Sequence, residues 1–305
     1  MKAARDLVIV GAGPAGCEAA LCASRRGLDV LLIGNEPPGG LAAAARRIEN
    51  LAGSLRPLSG RDYQRMLQMR VERARIRRLE NTVLDCRRDG GRFLVTAAGA
   101  GALDCRALLL ACGTEPAAVA IPGLDEAGES GLIHRDIRTL PRDLESRRVL
   151  VVGGGEAAVD SALSILERGG EPVLCVRGDR LAARRGLMDD LKNAAIAVRF
   201  GLEPAAVNAS GDGMIVEARG PDGRLRLKSD FLLLCVGRRP RLALYRRLAG
   251  SGAPRDVITG VPGLFLAGDI LRDRNRYIPP AMADGIRAAV EAGRSLAGDP
   301  KEIRA

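Results

Sequence analysis

The segment from Asp6 to Gly16, DLVIVGAGPAG, constrains this chain more than any other. The apolar run Leu7–Val10 leads straight into Gly11-x-Gly13-x-x-Gly16, and an alanine-rich stretch, Cys17–Ser24, follows. A strand, a tight turn and a helix start in that order make the glycine pattern informative. Gly11 permits the turn, Gly13 leaves room for a pyrophosphate to approach the backbone, and Gly16 lets helix and strand lie close together. Pro14 and Ala15 complete the turn and join the candidate contacts. The helix start then offers N–H groups and a positive dipole end to phosphates. After a second strand, Val30–Ile33, Glu36 stands about twenty residues past the glycines, where a carboxylate is expected to hold a ribose diol. The bland alternative is a glycine turn with no ligand.

The same grammar recurs. Arg148–Val152 reads as a strand, Gly153-Gly154-Gly155-x-x-Ala158 as a turn containing Glu156, and Val159–Arg168 as a helix. Alanine replaces the third glycine, which the fingerprint tolerates. The next strand, Pro172–Val176, ends on Arg177-Gly178-Asp179 with no acid at the strand end. Arg177, with Arg184 or Arg185, is placed to meet a 2′-phosphate, which favours NADPH over NADH. Phe231–Val236 with Gly237-Arg238 mirrors Leu108–Gly113, the close of the first unit. Between the turns, Tyr63–Arg78 reads as an amphipathic helix. Asn81–Cys86 and Arg92–Ala97 read as a hairpin about Asp89-Gly90-Gly91. Ala197–Phe200, Met214–Ala218 and Leu225–Lys228 read as further strands. The tail holds a buried strand ending at Gly268-Asp269 and a helix, Met282–Leu296. About sixty residues hardly bury their own core, so the tail is expected to complete the first unit. The second unit is then an insertion, with 1–115 and 243–305 flanking 116–242.

At 305 residues the chain is long enough for two domains. No apolar run approaches the ~20 residues that cross a bilayer. The few residues ahead of the first strand leave no room for a signal peptide, so a soluble cytoplasmic chain is expected. The net charge of +10 invites a nucleic-acid reading, but aromatics are only 2% and no basic run is interleaved with stacking residues. Scattered solvated arginines explain the charge better, and steering toward an acidic redox partner or an anionic substrate is the functional alternative. The seven cysteines form no CxxC, which argues against a disulfide framework or a metal site. Cys112 and Cys235 read as buried strand residues. Cys17 lies beside the first turn, where a lowered thiol pKa is conceivable.

Three ordered motifs, GAGPAG, GGGEAA and LFLAGD, resemble the low-molecular-weight thioredoxin reductase family of flavoproteins over nearly the whole chain. The resemblance implies an α/β fold of two Rossmann-like domains in the three-layer, glutathione-reductase-like arrangement, with FAD in the flanking segments and NAD(P)H in the inserted one. By this resemblance Gly11, Gly13, Gly16 and Glu36 hold the ADP half of FAD. Gly39 and Gly40 pass beside the flavin, Asn50 matches the asparagine of the EN-x-x-G motif, and Asp269 serves the ribitol or pyrophosphate region. Gly113 and Gly268 complete the FAD set. Gly153, Gly155, Glu156, Ala158, Arg177 and Gly237 form the NAD(P) set. Arg276 begins the family's Arg-Gln-Ala motif, but Tyr277-Ile278 replace Gln-Ala, so Tyr277 is a candidate new flavin contact. The family's dimerisation implies a homodimer.

The departure lies in the redox chemistry. Where the family carries its CxxC, this chain reads Gly131-Leu132-Ile133-His134-Arg135-Asp136-Ile137-Arg138, and the pair typical of larger disulfide reductases is absent at Leu41–Ala44. His134, the sole histidine, reads either as a solvated loop residue or as a proton donor facing the flavin. Arg135 and Arg138 read either as contacts for an acidic acceptor or as surface charge. The leading expectation is an FAD-dependent NAD(P)H oxidoreductase whose acceptor is not thioredoxin. Ferredoxin, flavodoxin or a small molecule are the candidates, by analogy with thioredoxin-reductase-like ferredoxin or flavodoxin NADP reductases. With Ala305 soon after the closing helix, no room is expected for the aromatic C-terminal extension usual in that subgroup. Alternatives are a flavin-binding sensor or partner subunit without turnover, and a disulfide reductase working through a lone cysteine such as Cys17.

Overall fold

The computed structural model describes residues 4–128, 130–210, 213–221, 223–272 and 274–298. They form two compact units, one made of the residues up to Glu115 together with those from Arg239 onward, the other Pro116–Arg238. The α/β architecture expected from the two fingerprints is present in each.

In the first unit, β1 (Arg5–Val10) leads through the glycine turn to α1 (Pro14–Arg25) and β2 (Val30–Gly34). Then come α2 (Gly60–Arg73), β3 (Arg77–Glu80), β4 (Val83–Asp89), β5 (Arg92–Ala97) and β6 (Gly101–Leu110). The chain leaves through β7 (Thr114–Pro116). In the sheet order β3-β2-β1-β6-β5-β4, the outer pair is antiparallel, and β6 pairs antiparallel with β5 but parallel with β1. Leu7, Val8, Ile9 and Leu108–Leu110 are fully buried because both sheet faces are covered, so the parallel strands read as apolar runs without alternation.

The second unit opens with α3 (Leu124–Gly128) and β8 (Ile133–His134), then β9 (Arg148–Val152), α4 (Glu156–Glu167), β10 (Glu171–Val176), α5 (Arg185–Asn193) and β11 (Ala197–Phe200). A three-stranded antiparallel meander follows: β12 (Glu203–Ser210), β13 (Gly213–Gly220) and β14 (Gly223–Ser229). The chain then enters β15 (Phe231–Leu234), which completes a parallel sheet of order β11-β10-β9-β15-β8. The chain leaves by β16 (Arg238–Pro240), which pairs with β7. That pairing sets the return at Arg239 rather than at 243. Beyond it lie α6 (Ala243–Ala249), β17 (Leu264–Leu266) and α7 (Ile278–Ala297).

β17 extends the first sheet by pairing in parallel with β6. α7 packs along α1 through small residues: Ala15, Ala19 and Ala23 on one helix, Ala281, Ala288 and Ala292 on the other, all in one core. A Cβ on Gly285 would lie 2.1 Å from the Ala15 carbonyl oxygen, so this crossing requires glycine.

Two sequence expectations fail for identifiable reasons. The helix read as Tyr63–Arg78 stops at Arg73, because Arg75 takes a left-handed backbone (φ 52°) and Arg77–Glu80 pairs with β2. Cys112 and Cys235 lie just past β6 and β15, not inside them. No described helix is long and apolar enough to cross a membrane.

Candidate functional site

Each unit presents a glycine turn at the carboxyl end of its central strand. In the first, Gly11 has φ 112°, and a Cβ there would lie 2.2 Å from the Ala111 carbonyl oxygen, so only glycine fits. A Cβ on Gly16 would meet the Gly11 oxygen at 1.8 Å, which brings α1 close under the turn. Gly13 differs. Its nearest neighbour would be the Gly40 Cα at 4.0 Å, and a Cβ on Gly40 would lie 3.0 Å from the Gly13 Cα. The Gly39-Gly40 turn is drawn back over Gly13 by a bond from Gly39 N–H to Ala12 O of 2.9 Å. Two glycines therefore face each other across a gap that side chains would fill. Above it stands the start of α1, with Pro14 in its first turn and no side chain capping it. Its unpaired N–H groups and dipole suit a pyrophosphate, so the residues present fit a bound dinucleotide.

The other expected residues of this unit surround that turn in sequence and differ in setting. Glu36 is exposed just past the end of β2, and Asn50 is exposed on the loop before α2. Gly113 follows β6 with φ 62° and receives a bond on its carbonyl from Arg241 N–H (3.0 Å). Gly268 (φ 81°) sits where a Cβ would lie 2.8 Å from that of Ala15. Its N–H donates to Asp284 Oδ2 at 3.2 Å, and its carbonyl accepts from Arg272 Nη1 at 3.1 Å. Arg272 also pairs with Asp284, so one half-buried ion pair holds both sides of the Gly268 peptide before Asp269. This clamp is absent from the sequence reading. Nothing local announces it, because its partners are a turn residue and an acid on the next helix. Arg276 donates from Nε to the Arg272 carbonyl (3.0 Å). Tyr277 precedes α7 with 48% exposure and no side-chain partner among the described residues.

In the second unit Gly153 (φ 144°) is held against the Cys235 carbonyl, where a Cβ would lie at 2.4 Å. Gly155 has open space beside it, and Ala158 is fully buried one turn into α4. Glu156, in the first turn of α4, accepts from the Arg184 N–H (3.2 Å) and pairs with its guanidinium (3.4 Å). Arg184 is thereby engaged at the turn itself. Arg177 is 82% exposed at the end of β10, with Glu203 at 3.6 Å. Arg185 faces Asp189 at 3.8 Å and is otherwise in solvent. Gly237 is exposed with φ 103°.

Two of the three catalytic candidates, Cys17 and His134, are buried. Cys17 is fully buried in α1, its Sγ on the Ala12 carbonyl at 3.3 Å. Burial, with the neighbouring Glu18 carboxylate, pushes its thiol up to about 12. That shift is opposite in sense to the one a reactive thiolate needs. All seven cysteines are free thiols. His134 is no solvated loop residue. It is 8% exposed, its Nδ1 lies 2.8 Å from Thr139 Oγ1, and its ring meets Phe231 edge-on at 5.5 Å. Its buried Nε2 has no hydrogen-bond partner among the described residues. Desolvation, helped by Arg168, pulls its pKa down, so it is held neutral inside the second unit and not offered to a ligand as a proton donor. Arg138 is committed to Asp136 at 2.6 Å, which removes it as a ready contact for an acceptor. Arg135 is half-buried beside it.

Two sheets, one mixed and one parallel, each with a glycine turn feeding a helix, define a dinucleotide-binding architecture. The chain belongs to the pyridine nucleotide-disulphide oxidoreductase family, whose model matches residues 5–293. Within it the chain is thioredoxin reductase-like. It is 29% identical over 300 residues to the thioredoxin reductase of Treponema pallidum (strain Nichols), covering 95% of this chain and 96% of that protein. Its fold matches the crystal structure of Lactococcus lactis thioredoxin reductase in the FR conformation, with TM-score 0.87, 23% identity and coverage of 96% and 99%. The bacillithiol disulfide reductase Bdr of Bacillus cereus shares the fold at TM-score 0.78, 18% identity and coverage of 95% and 99%. Family membership implies FAD and a nicotinamide dinucleotide.

Proposed function

We propose that this protein is an FAD-dependent NAD(P)H oxidoreductase that delivers electrons to an acceptor other than a thioredoxin-type disulfide. The observation that carries the reading is the pair of glycine turns, one per unit, in a chain with no CxxC and a Cys17 thiol too buried to act. FAD, when bound, supplies hydride acceptance from reduced nicotinamide and onward release of electrons. The chain's own part is to bind and orient. Gly11, Gly13, Pro14, Ala15 and Gly16 admit the pyrophosphate, Glu36 holds the ribose, and Gly40, Asn50 and Gly113 border the cofactor. Gly268 and Asp269 close the turn from the tail, with Arg276 and Tyr277 at the flavin edge. In the second unit Gly153, Gly155, Glu156, Ala158 and Gly237 form the nicotinamide dinucleotide site, and Arg177 favours NADPH by meeting its 2′-phosphate. The net charge of +10 suits an acidic redox protein as acceptor.

The test mixes the purified protein with NADPH or NADH and follows the visible flavin band. The expected result is rapid bleaching, faster with NADPH, then many turnovers with ferricyanide, ferredoxin or flavodoxin and none with oxidised thioredoxin. Absence of reduction by either nucleotide removes the proposal in favour of a flavin-binding protein without turnover. Sustained reduction of thioredoxin removes the claim about the acceptor.

A further inference from the structure

The first unit carries a cleft that none of the expected cofactor-binding residues lines. It has a volume of about 470 Å³ and lies beside α6, bordered by Glu115, the residues after β16 and the turn after β17. That size is in the range of small-molecule sites, roughly 300 to 1,000 Å³. Leu242 and Ile270 supply an apolar floor, and Arg239, Arg246 and Arg272 supply positive charge against the single carboxylate of Glu115.

The charges do not balance within the cleft. Glu115 is already engaged by Arg239, Nε to Oε1 at 2.8 Å. Arg272 spends one nitrogen, Nη1, on the Gly268 carbonyl and Asp284, and the Asp269 charge also acts on it, while its other nitrogens have no hydrogen-bond partner among the described residues. Arg246 is exposed and has no ion-pair or side-chain hydrogen-bond partner among the described residues. Two guanidinium groups therefore keep donors to spare beside an apolar surface. A bare inorganic anion would leave the floor uncovered, and a neutral apolar molecule would desolvate the guanidiniums without pairing them. A carboxylate matches the planar guanidinium fork, and an apolar body behind it covers the floor.

We propose that this cleft binds a small amphipathic carboxylic acid, its carboxylate on Arg246 and Arg272 and its apolar body on Leu242 and Ile270. Because Arg272 also grips the Gly268 peptide together with Asp284, the bound acid lies one guanidinium away from the Gly268–Asp269 turn. The site stands on its own geometry and does not depend on the flavin reading.

Isothermal titration of the purified protein with benzoate, phenylacetate and hexanoate, against benzyl alcohol and inorganic phosphate, tests this. At least one of the three acids is expected to bind saturably at one site per chain, with benzyl alcohol and phosphate at least about tenfold weaker. Arg246→Ala is expected to weaken that acid about tenfold, the usual worth of a charge-assisted bond, and R246E to abolish binding. Arg246 is an exposed helix residue, so both variants are expected to melt like the parent, which shows that the loss is local. No saturable binding by any of the three acids overturns the proposal. So does binding that R246A and R246E leave unchanged, or phosphate binding as tight as the best acid.

Discussion

In the first turn a Cβ at the third position, Gly16, would lie 1.8 Å from the Gly11 carbonyl oxygen, whereas the second turn carries Ala158 there, fully buried. At Gly16 that Cβ would strike the turn itself and come within 3.4 Å of the Ala111 Cβ. α7 lies along α1 with Gly285 against the Ala15 carbonyl, and Gly268 packs on the Ala15 Cβ, so α1 is crowded on both sides. The sheets differ in the same sense. β6 runs unbroken from its antiparallel partner β5 to its parallel partners β1 and β17. In the second unit the equivalent path is broken between β14 and β15. There Ser229 Oγ accepts from Leu150 N–H (3.0 Å), and Asp230 accepts from Arg148 N–H (2.7 Å) in place of a continuous ladder. The Arg148 hydrogen bonds hold the Asp230 carboxyl below its usual range. The third glycine of the first turn answers to the distance between α1 and the turn it follows.

The largest effect is expected where that distance is least forgiving. Gly16→Ala must push α1 off the turn. It is expected to destabilise by about 3 kcal/mol or more and to yield protein without a visible flavin band. Ala158→Gly should cost about 1 kcal/mol, from helix propensity, and leave the flavin in place. Melting curves and the visible spectrum decide, and a yellow Gly16→Ala protein melting like the parent breaks the comparison.

The second contrast is Glu36 in one unit against Arg177 in the other. Arg177→Ala is expected to raise KM for NADPH about tenfold and leave KM for NADH nearly unchanged. Equal changes for both nucleotides in steady-state assays remove the 2′-phosphate role.

The smallest effect concerns buried polarity. The first unit buries Glu18 as an ion pair with Arg70, Oε2 to Nη2 at 3.1 Å, whereas the second buries a neutral imidazole. The folded pKa of His134 lies below its ordinary 6.5, so the unfolded chain binds the extra proton. Its contribution is therefore fully present above about pH 6.5 and is lost as pH falls below that value. His134→Phe should flatten the stability slope between roughly pH 7 and 5. His134 is the only histidine, so a slope in denaturant unfolding that survives the substitution rejects this assignment.

Both turns were legible because their causes are local: a positive φ at Gly11 or Gly153, a helix start three residues on, and apolar runs that bury both faces. The tail's return to the first unit was legible for a simpler reason, that about sixty residues hardly bury a core of their own. Other features were hidden. β12, read from EPAAVNAS, has no alternating pattern, and only its ladder with β13 makes it a strand. Arg77–Glu80 carries helix formers and becomes β3 because β2 offers an open edge.

The sequence by itself determined two dinucleotide turns, the loss of the dithiol and the family resemblance, since these rest on residue identity and short spacing. Tertiary structure alone decided the fate of the polar groups. Burial in the folded chain pushes the Cys17 thiol up and pulls the His134 imidazole down. Asp284 reaches Gly268, and Arg246 and Arg272 line one cleft, because the fold brings such residues together. Burial and pairing are properties of neighbours, and only the fold supplies the neighbours.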